Sequence, residues 1–404
     1  MSNSTDQYSV VYVANIRVRG SIGGESHVRG IGTALLRRNR LNRLLLPRSA
    51  AFHQWNEAFN GRSGAFRIPP TPLGLIWFDL MVALWIVGSH VRTGRKTLMV
   101  RPHFATIFQL LVARVVRWPV AYEINGILEY ENAVSGRNAL LRMTYRIQDR
   151  IALRLATTVI CVTAGIRNWI IENRAIHPRK ALVLPNAVDA EDITECRDRL
   201  TVRSRLGVSD RHIVLGFVGT LARWQGISEV VAAALQLPAD TKIRVVLVGG
   251  GPLAEEIRSV VDESHDSRIL LLPPVPHNQV KDYLCAFDYG LLLRNWPEDR
   301  PLGSPLKLYE YMAAGLRILA CPVDGIRDVP DADKFIRFAR PDEVTGLLDT
   351  VSRETTANSE PGQLISSKEL RELTLARHTW DHRAETLLGE LDRRSDERTT
   401  VEDD

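Results

Sequence analysis

Apolar and polar residues in the first half of the chain alternate in a way that predicts strands separated by helices. Short β-rich runs, which indicate strands, occur at residues 10–14, 97–100, 120–124 and 158–162. Between them, apolar residues recur at helical spacing, including residues 104–118 and 138–155. This alternation is typical of parallel strands joined by right-handed crossovers.

The same pattern restarts after a polar stretch, residues 190–208, that we interpret as a helical connection. Further strand-like runs follow, each separated from the next by a helical signal, at residues 212–218, 244–248, 269–272, 289–293 and 317–321. Residues 380–391 predict a last amphipathic helix, and the acidic tail, residues 395–404, is expected to be disordered. The chain therefore predicts two Rossmann-like α/β domains over residues 1–205 and 206–375, a helix over 376–392 and a tail over 393–404.

Length and composition agree with two soluble domains. A chain of 404 residues is too long for one ordinary core, and its 45% hydrophobic and 25% charged residues are typical of globular proteins. The formal net charge of +5 is too small to indicate a nucleic-acid binder. It suits an anionic small molecule or an acidic membrane surface.

The sequence favours a cytoplasmic protein, with peripheral membrane contact as an open alternative. The polar N-terminus does not look like a signal sequence, and the four cysteines are widely spaced, as expected for free thiols in a reducing compartment. The longest apolar run, residues 73–87, contains Asp79 and is interpreted as a core helix and not as a membrane span.

Residues 304–315, Ser-Pro-Leu-Lys-Leu-Tyr-Glu-Tyr-Met-Ala-Ala-Gly, contain the most informative motif. Ser304 is predicted to cap a helix that starts at Pro305 and stops at Gly315. Lys307 and Glu310 are three residues apart and share one face of this helix. A cation for a phosphate and a carboxylate for a ribose diol would then lie together beside a helix N-terminus, although a surface ion pair is the alternative.

This motif resembles the donor-site helix of retaining glycosyltransferases of the GT-B fold, in the large family numbered four. Three other segments resemble motifs of the same family, in the same order: residues 185–189, Pro-Asn-Ala-Val-Asp; residues 216–226, from Gly-Phe-Val-Gly to Gly; and residues 246–252, Val-Leu-Val-Gly-Gly-Gly-Pro. The resemblance implies two Rossmann-like domains that face each other across a cleft, with a nucleotide-sugar on the second.

The resemblance also implies which residues bind the donor. Lys307 would contact the diphosphate and Glu310 the ribose, with Glu310 counted among the catalytic residues. Where the family has Arg and Lys in its loop after the first strand of the second domain, this chain has Thr220 and Gln225, so Arg223 is expected to supply the missing charge. The remaining donor-binding candidates are Gly23, Gly24, Gly219, Gln225, Gly250, Val275, Pro305 and Leu306.

In the first domain, many family members carry a histidine after the third predicted strand that this chain lacks. Glu123 and Asn125 occupy that zone, and we expect them to orient the acceptor or to stabilise positive charge at the anomeric carbon; a paired structural acid is the alternative for Glu123. Arg101, His103 and His27 are candidates for acceptor binding, and a surface histidine is the alternative for His27.

The predicted activity is transfer of a sugar from a nucleotide-diphosphate sugar to an acceptor hydroxyl with retention. The acceptor would be a glycan, a lipid-linked glycan or a small molecule. No cofactor and no metal are expected if Lys307, Arg223 and the helix dipole neutralise the diphosphate. Two alternatives stay open: a GT-B nucleotide-sugar epimerase, and a non-catalytic protein that binds a nucleotide-sugar or a partner subunit.

Overall fold

The computed structural model describes most of the chain and divides it into two compact units. The described residues are 8–16, 23–49, 52–69, 73–90, 95–102, 105–127, 139–192, 198–295, 303–356 and 365–402. The first unit comprises Met1–Ala187, Pro301–Ser304 and Trp380–Asp404, and the second comprises Val188–Arg300 and Pro305–Thr379.

The first unit is built on a parallel sheet with strand order β3-β2-β1-β4-β5-β6-β7. Its strands are β1 (Ser9–Ala14), β2 (Leu41–Pro47), β3 (Ser63–Phe66), β4 (Lys96–Arg101), β5 (Val120–Ile124), β6 (Thr158–Cys161) and β7 (Ala181–Val183). Its helices are α1 (Gly23–Arg37), α2 (Phe52–Ala58), α3 (Leu73–His90), α4 (Phe108–Val115), α5 (Ala139–Leu155), α6 (Ala164–Arg174) and, from the end of the chain, α14 (Trp380–Glu402).

The core of this unit lies between the sheet and helices α3 to α6. Alternate residues of β1, β4 and β5, such as Val11, Leu98 and Tyr122, pack against buried side chains of these helices. The order of the strands reverses direction at β1, so right-handed crossovers place α1 and α2 on the opposite face. Helix α14 packs on α1, and the Trp380 indole fills the space beside Gly30.

The second unit repeats this architecture with a parallel sheet of order β10-β9-β8-β11-β12-β13. Its strands are β8 (Ile213–Val218), β9 (Ile243–Val248), β10 (Ile269–Leu272), β11 (Tyr289–Leu292), β12 (Arg317–Ala320) and β13 (Ile336–Phe338). Its helices are α7 (Arg199–Arg205), α8 (Ile227–Gln236), α9 (Ala254–Ser264), α10 (His277–Ala286), α11 (Leu306–Ala314), α12 (Val344–Thr356) and α13 (Ser367–Arg377). Short 3-10 turns are formed by Pro178–Lys180, Ala190–Asp192, Arg223–Gln225, Ala332–Lys334 and Pro341–Glu343.

The units separate at Val188, earlier than the predicted boundary at residue 206. The reason is that α7 is held by the second unit. Arg203 is buried and donates to Asp288 at 2.6 Å, and Arg199 donates to the same carboxylate at 2.5 Å. Arg199 and Arg203, which belong to the polar stretch predicted to connect the domains, therefore bind Asp288 just before β11.

The end of the chain also differs from the prediction. Helix α14 continues to Glu402, although residues 393–404 were expected to form a disordered tail. Charged pairs at helical spacing explain the extension, because Arg393 lies 2.9 Å from Glu390 and also pairs with Glu397, while Arg394 lies 2.5 Å from Glu390.

The cysteines only partly match the expectation of free thiols. Cys161 and Cys321 are free and buried. Burial raises the pKa of the Cys161 thiol to about 12, so it stays protonated at neutral pH. Cys285 is disulfide-bonded, so the prediction is wrong there, because sequence spacing does not show which cysteines the fold brings together.

Candidate functional site

The carboxyl ends of β1, β4 and β5 bring together most of the residues singled out in the first unit. Arg101 is the last residue of β4, Glu123 is the next-to-last of β5, and Gly23 and Gly24 begin α1. Ligands of doubly wound sheets bind at this edge. His103 lies outside the described residues.

Glu123 is the centre of a buried polar cluster. Its side chain is fully buried, and Tyr12 donates to Oε2 at 2.9 Å. Three groups approach Oε1: Arg101 Nη1 at 3.2 Å, His27 Nε2 at 2.7 Å and the amide of Asn125. Both carboxylate oxygens are therefore engaged by groups of the protein.

The surroundings of Glu123 keep it ionised. Burial alone would raise the pKa of Glu123, but the charges of His27 and Arg101 and the bonds from His27 and Asn125 lower it to about 2. Four groups of the protein contact its oxygens, as expected for the alternative of a paired structural acid. Its predicted role toward the acceptor or the anomeric carbon stays a prediction.

His27 is buried, so the alternative of a surface histidine is wrong. Its Nδ1 lies 2.5 Å from Asn186 Oδ1 and its Nε2 faces Glu123. The amide nitrogen of Asn186 donates to the Ser304 carbonyl at 2.5 Å, which identifies Oδ1 as the atom that faces the imidazole. Both ring nitrogens thus face oxygen atoms of other side chains.

Arg101 is the cation of this cluster that reaches the surface of the unit. Its side chain is 18% exposed, and a Cβ added to Gly24 would lie 3.6 Å from its Nη2. The guanidinium therefore lies beside the first turn of α1, where backbone amides are unsatisfied. This corner of the first unit attracts anions and hydroxyl groups.

In the second unit the predicted donor helix begins one residue later than expected. Pro305 is the N-cap residue and α11 starts at Leu306, with no side chain capping its first amides. Ser304 does not cap the helix, because its hydroxyl accepts the backbone N–H of Asn186 at 3.1 Å. The backbone amides of Leu306 and Lys307 are therefore open to a ligand.

The Lys307 side chain extends over the end of β8. Its Nζ lies 5.2 Å from the centre of the Phe217 ring, and an added Cβ at Gly219 would lie 2.7 Å from that Nζ. No ion-pair partner for Lys307 occurs in the described part of the chain. Burial and the nearby Arg294 lower the pKa of Lys307, while Glu310 acts in the opposite sense.

Arg294 is a candidate that the sequence analysis missed. It is the second residue after β11, and its guanidinium lies 5.0 Å from the centre of the Trp224 ring. Its buried Nε has no hydrogen-bond partner among the described residues. Burial lowers the pKa of Arg294 to about 10. The available signal was an arginine at the carboxyl end of an apolar strand, just ahead of the donor motif.

Arg223, which was expected to supply the second cation, is placed elsewhere. Its side chain is 84% exposed and pairs with Glu256 of α9 at 3.4 Å. The short turn Arg223–Gln225 points this side chain to solvent, whereas Trp224 contacts Arg294. Arg294 is therefore a second candidate for the role that the sequence analysis gave to Arg223.

Polar atoms without partners surround these cations. Gln225 is buried with its Oε1 unpaired, and Glu229 accepts from Asn295 through Oε1 but leaves its buried Oε2 unpaired among the described residues. Glu310 is partly exposed on α11, and it has no ion pair in the described part of the chain. Buried polar atoms of this kind normally find a partner, so these atoms are candidates for contacts with a ligand.

Gly250 and Val275 lie at the same edge of this sheet, after β9 and β10. The Gly250 carbonyl accepts the Leu221 N–H at 2.8 Å, and an added Cβ at Gly250 would lie 3.0 Å from Pro274. Gly250 therefore holds the loop after β8 in position. In the described residues, no group of three or more His, Cys, Asp or Glu side chains could hold a metal ion.

Comparison with known proteins agrees with this geometry. Residues 212–353 match the model of the family described as "Glycosyl transferases group 1". The matched residues, apart from residues 301–304, lie in the second unit and include Lys307, Arg294 and Glu310.

Curated relatives match part of the chain. One is the alpha-maltose-1-phosphate synthase of Mycolicibacterium smegmatis, which is 26% identical over 59% of this chain and 64% of that protein. Another is the phosphatidylinositol N-acetylglucosaminyltransferase gpi3 subunit of Schizosaccharomyces pombe, 24% identical over 54% of this chain and 47% of that protein. The chain thus spans about half to two-thirds of the length of these relatives.

Solved structures match nearly the whole chain. HepE from Anabaena in complex with UDP aligns with a TM-score of 0.75 and 17% identity over 95% of this chain and 100% of that one. Sucrose-phosphate synthase from Thermosynechococcus elongatus aligns with a TM-score of 0.72 and 16% identity over 96% and 98%. These likenesses confirm the predicted fold class, two Rossmann-like units of the GT-B type.

Proposed function

We propose that the protein is a retaining glycosyltransferase of family four that moves a sugar from a nucleotide-diphosphate sugar to an acceptor hydroxyl. The observation that carries this proposal is the pair of neighbouring cations, Lys307 and Arg294, beside the uncapped N-terminus of α11. The group 1 match over residues 212–353 and the UDP bound by HepE support it.

In this proposal the second unit binds the donor. The diphosphate lies at the first amides of α11, where Lys307 and Arg294 neutralise its charge without a metal ion. Glu310 accepts hydrogen bonds from the ribose hydroxyls, and Gln225 and Glu229 offer their unpaired oxygens to further donor hydroxyls.

The chemistry follows from a stabilised leaving group. The bond between the anomeric carbon and the diphosphate oxygen breaks, and the departing diphosphate keeps the electron pair. The acceptor oxygen attacks the same face of the sugar, forms the new glycosidic bond and passes its proton to the departing diphosphate. Cations and helix amides that bind the leaving group more tightly as its charge grows accelerate this step.

The first unit is proposed to bind the acceptor. Arg101, Asn125 and the first amides of α1 would contact it, while Glu123 and His27 act as positioning residues behind them. The acceptor class is a glycan, a lipid-linked glycan or a small molecule, and the proposed location is cytoplasmic with peripheral membrane contact.

The direct test is to incubate the protein with a panel of nucleotide-sugars and to follow them by phosphorus and proton NMR. We expect one donor to release its nucleoside diphosphate, and the freed sugar to appear first in the anomeric configuration of the donor. Lys307→Ala should slow this release at least tenfold, in line with about 1.5–3 kcal/mol for a charged hydrogen bond.

A matched control is Lys334→Ala, because Lys334 also lies in the second unit but pairs with Asp331 at 2.8 Å. This substitution should leave the rate of nucleoside diphosphate release unchanged. Epimerised sugar still attached to the nucleotide would instead identify an epimerase. Tight donor binding with no bond cleavage, even with acceptor mixtures present, would identify a binding protein and reject the proposed activity.

A further inference from the structure

Three neighbouring helices of the first unit present large apolar side chains to solvent, and we call these residues the apolar face. Their exposed fractions run from 36% at Leu80 to 82% at Val115. The apolar face comprises Leu73, Trp77, Leu80, Leu84 and Val87 of α3, Phe108, Leu111 and Val115 of α4, and Met143 and Ile147 of α5. The spacing of three and four residues places each set on one side of its helix.

The apolar face is not needed for packing within the unit. The opposite side of α3 already fills the core through Phe78, Val82 and Ile86, all fully buried. By length and composition, α3 is the one helix in the described residues apolar enough to cross a membrane, yet only 39% of it is buried. Ten large apolar side chains exposed together on three neighbouring helices indicate an interaction surface.

Asp79 shows that α3 stays within the fold. Its buried carboxylate accepts the backbone N–H groups of Ile107 at 3.0 Å, Phe108 at 2.7 Å and Gln109 at 3.3 Å, which are the first amides of α4. Insertion of α3 across a bilayer would break these three bonds and expose the core side of α3. The helix is therefore suited to lie on an apolar surface and not to span one.

Basic side chains border the apolar face at the ends of α4 and α5. Arg114, Arg117, Arg150 and Arg154 are exposed, and they have no hydrogen-bond or ion-pair partner in the described part of the chain. We call these four residues the basic rim. Arg114 adjoins Val115 on α4, and Arg150 lies one turn beyond Ile147 on α5.

A pocket of about 320 Å³ lies within this rim. Arg114 and Arg154 line it together with Lys180, Arg394 and one carboxylate, Glu397. Lys180 and Arg394 also donate to the backbone carbonyls of Ala156 at 3.1 Å and Thr157 at 2.7 Å, which leaves Arg114 and Arg154 to meet an external anion. The four cations outnumber the single carboxylate, so the pocket has the chemistry to bind a phosphate group.

We propose that the apolar face and the basic rim together form a docking surface for an anionic lipid bilayer. The apolar side chains would enter the boundary of the acyl chains, Trp77 would sit at the headgroup level, and the rim would meet lipid phosphates. A second copy of this chain fits less well, because pairing two such surfaces would bring their unpaired arginines together. This inference does not depend on the proposed glycosyl transfer.

The test is co-sedimentation of the full chain with vesicles of phosphatidylcholine alone and of phosphatidylcholine mixed with phosphatidylglycerol. We expect binding to the mixed vesicles, weakened by salt, and little binding to phosphatidylcholine alone. Leu84→Glu should lower the partition coefficient by roughly tenfold or more, because it puts a charge into the apolar contact. Leu200→Glu is the matched control, since Leu200 in the second unit is 64% exposed and Leu84 is 63% exposed.

The rim is tested separately. Each of Arg114→Gln and Arg154→Gln should reduce binding roughly fivefold, the factor expected for one cation near an anionic surface. Arg258→Gln on α9 serves as control, and circular dichroism melting verifies that all variants fold. Binding of free inorganic phosphate without binding of vesicles would overturn the proposal.

Equal vesicle binding by wild type and Leu84→Glu would also overturn it, as would failure of the wild type to bind mixed vesicles. Sedimentation velocity tests whether a second copy of the chain occupies this surface instead. A dimer that Leu84→Glu abolishes, in a protein that ignores vesicles, would assign the surface to a second copy of the chain.

Discussion

The ammonium group of Lys307 lies directly above the backbone of Gly219, and a Cβ at that glycine would come within 2.7 Å of Nζ and 2.6 Å of Cε. Gly219 also has a φ of +146°, a region that side-chain-bearing residues rarely adopt. The loop after β8 thus leaves room for the cation that we assign to the donor diphosphate.

Gly219→Ala should therefore displace Lys307. We expect nucleoside diphosphate affinity to fall at least tenfold, because about 1.5–3 kcal/mol of charged contact is disturbed. The control is Gly207→Ala, where φ is +67° and no atom lies within 4 Å of the added Cβ. Isothermal titration of both variants measures the effect, and equal affinities would show that Lys307 does not bind the phosphates.

The buried Glu123 predicts how stability changes in acid. Its pKa is about 2 in the folded protein against an ordinary value of 4.5, so its stabilisation is present above pH 4.5 and is lost as pH falls toward 2. The shift corresponds to at most about 3 kcal/mol.

Urea unfolding at stepped pH should show a steeper loss for wild type than for Glu123→Gln over this window. Glu123→Gln should also lower turnover with little change in donor affinity, since the carboxylate only positions groups of the first unit. Parallel pH profiles for the two proteins would contradict the cluster that the structure places around Glu123.

The contact between Gly30 and Trp380 should be intolerant of change. An added Cβ at Gly30 would lie 2.1 Å from the indole Nε1, so Gly30→Ala forces α14 away from α1. We expect a loss of about 2–3 kcal/mol of unfolding free energy from this overpacking. Gly389→Ala, on α14 with open space around it, should instead stabilise by about 0.5–1 kcal/mol. Thermal melts should show a lower melting temperature for Gly30→Ala and a higher one for Gly389→Ala than for wild type.

Sequence reasoning found the two parallel sheets because buried parallel strands read as short apolar runs. It missed β2, β3, β7 and β13. Strands β7 and β13 have only three residues each, and the four residues of β3 begin with Ser63 and Gly64, so none of the three contains a β-rich run. In β2, the exposed Asn42 and the partly exposed Arg43 interrupt the apolar signal near its start.

Only some residues of the candidate site could be predicted from the sequence, because only some of them belong to one local pattern. Lys307 and Glu310 are fixed by helical spacing, which the sequence displays. Arg294 approaches Lys307 only because β11 lies beside β8 in the sheet, and no local pattern carries that information. Arg223 was predicted to supply the second cation because it lies within the loop after β8, but its side chain pairs with Glu256.

The most direct test of the account is calorimetric titration of nucleoside diphosphates into wild type, Lys307→Ala and Arg294→Met. We predict that each substitution weakens binding at least tenfold. Arg294→Met should also stabilise the ligand-free protein, because burial disfavours the guanidinium charge. Unchanged affinity in both variants, or a wild type that binds no nucleoside diphosphate, would contradict the assignment of this site.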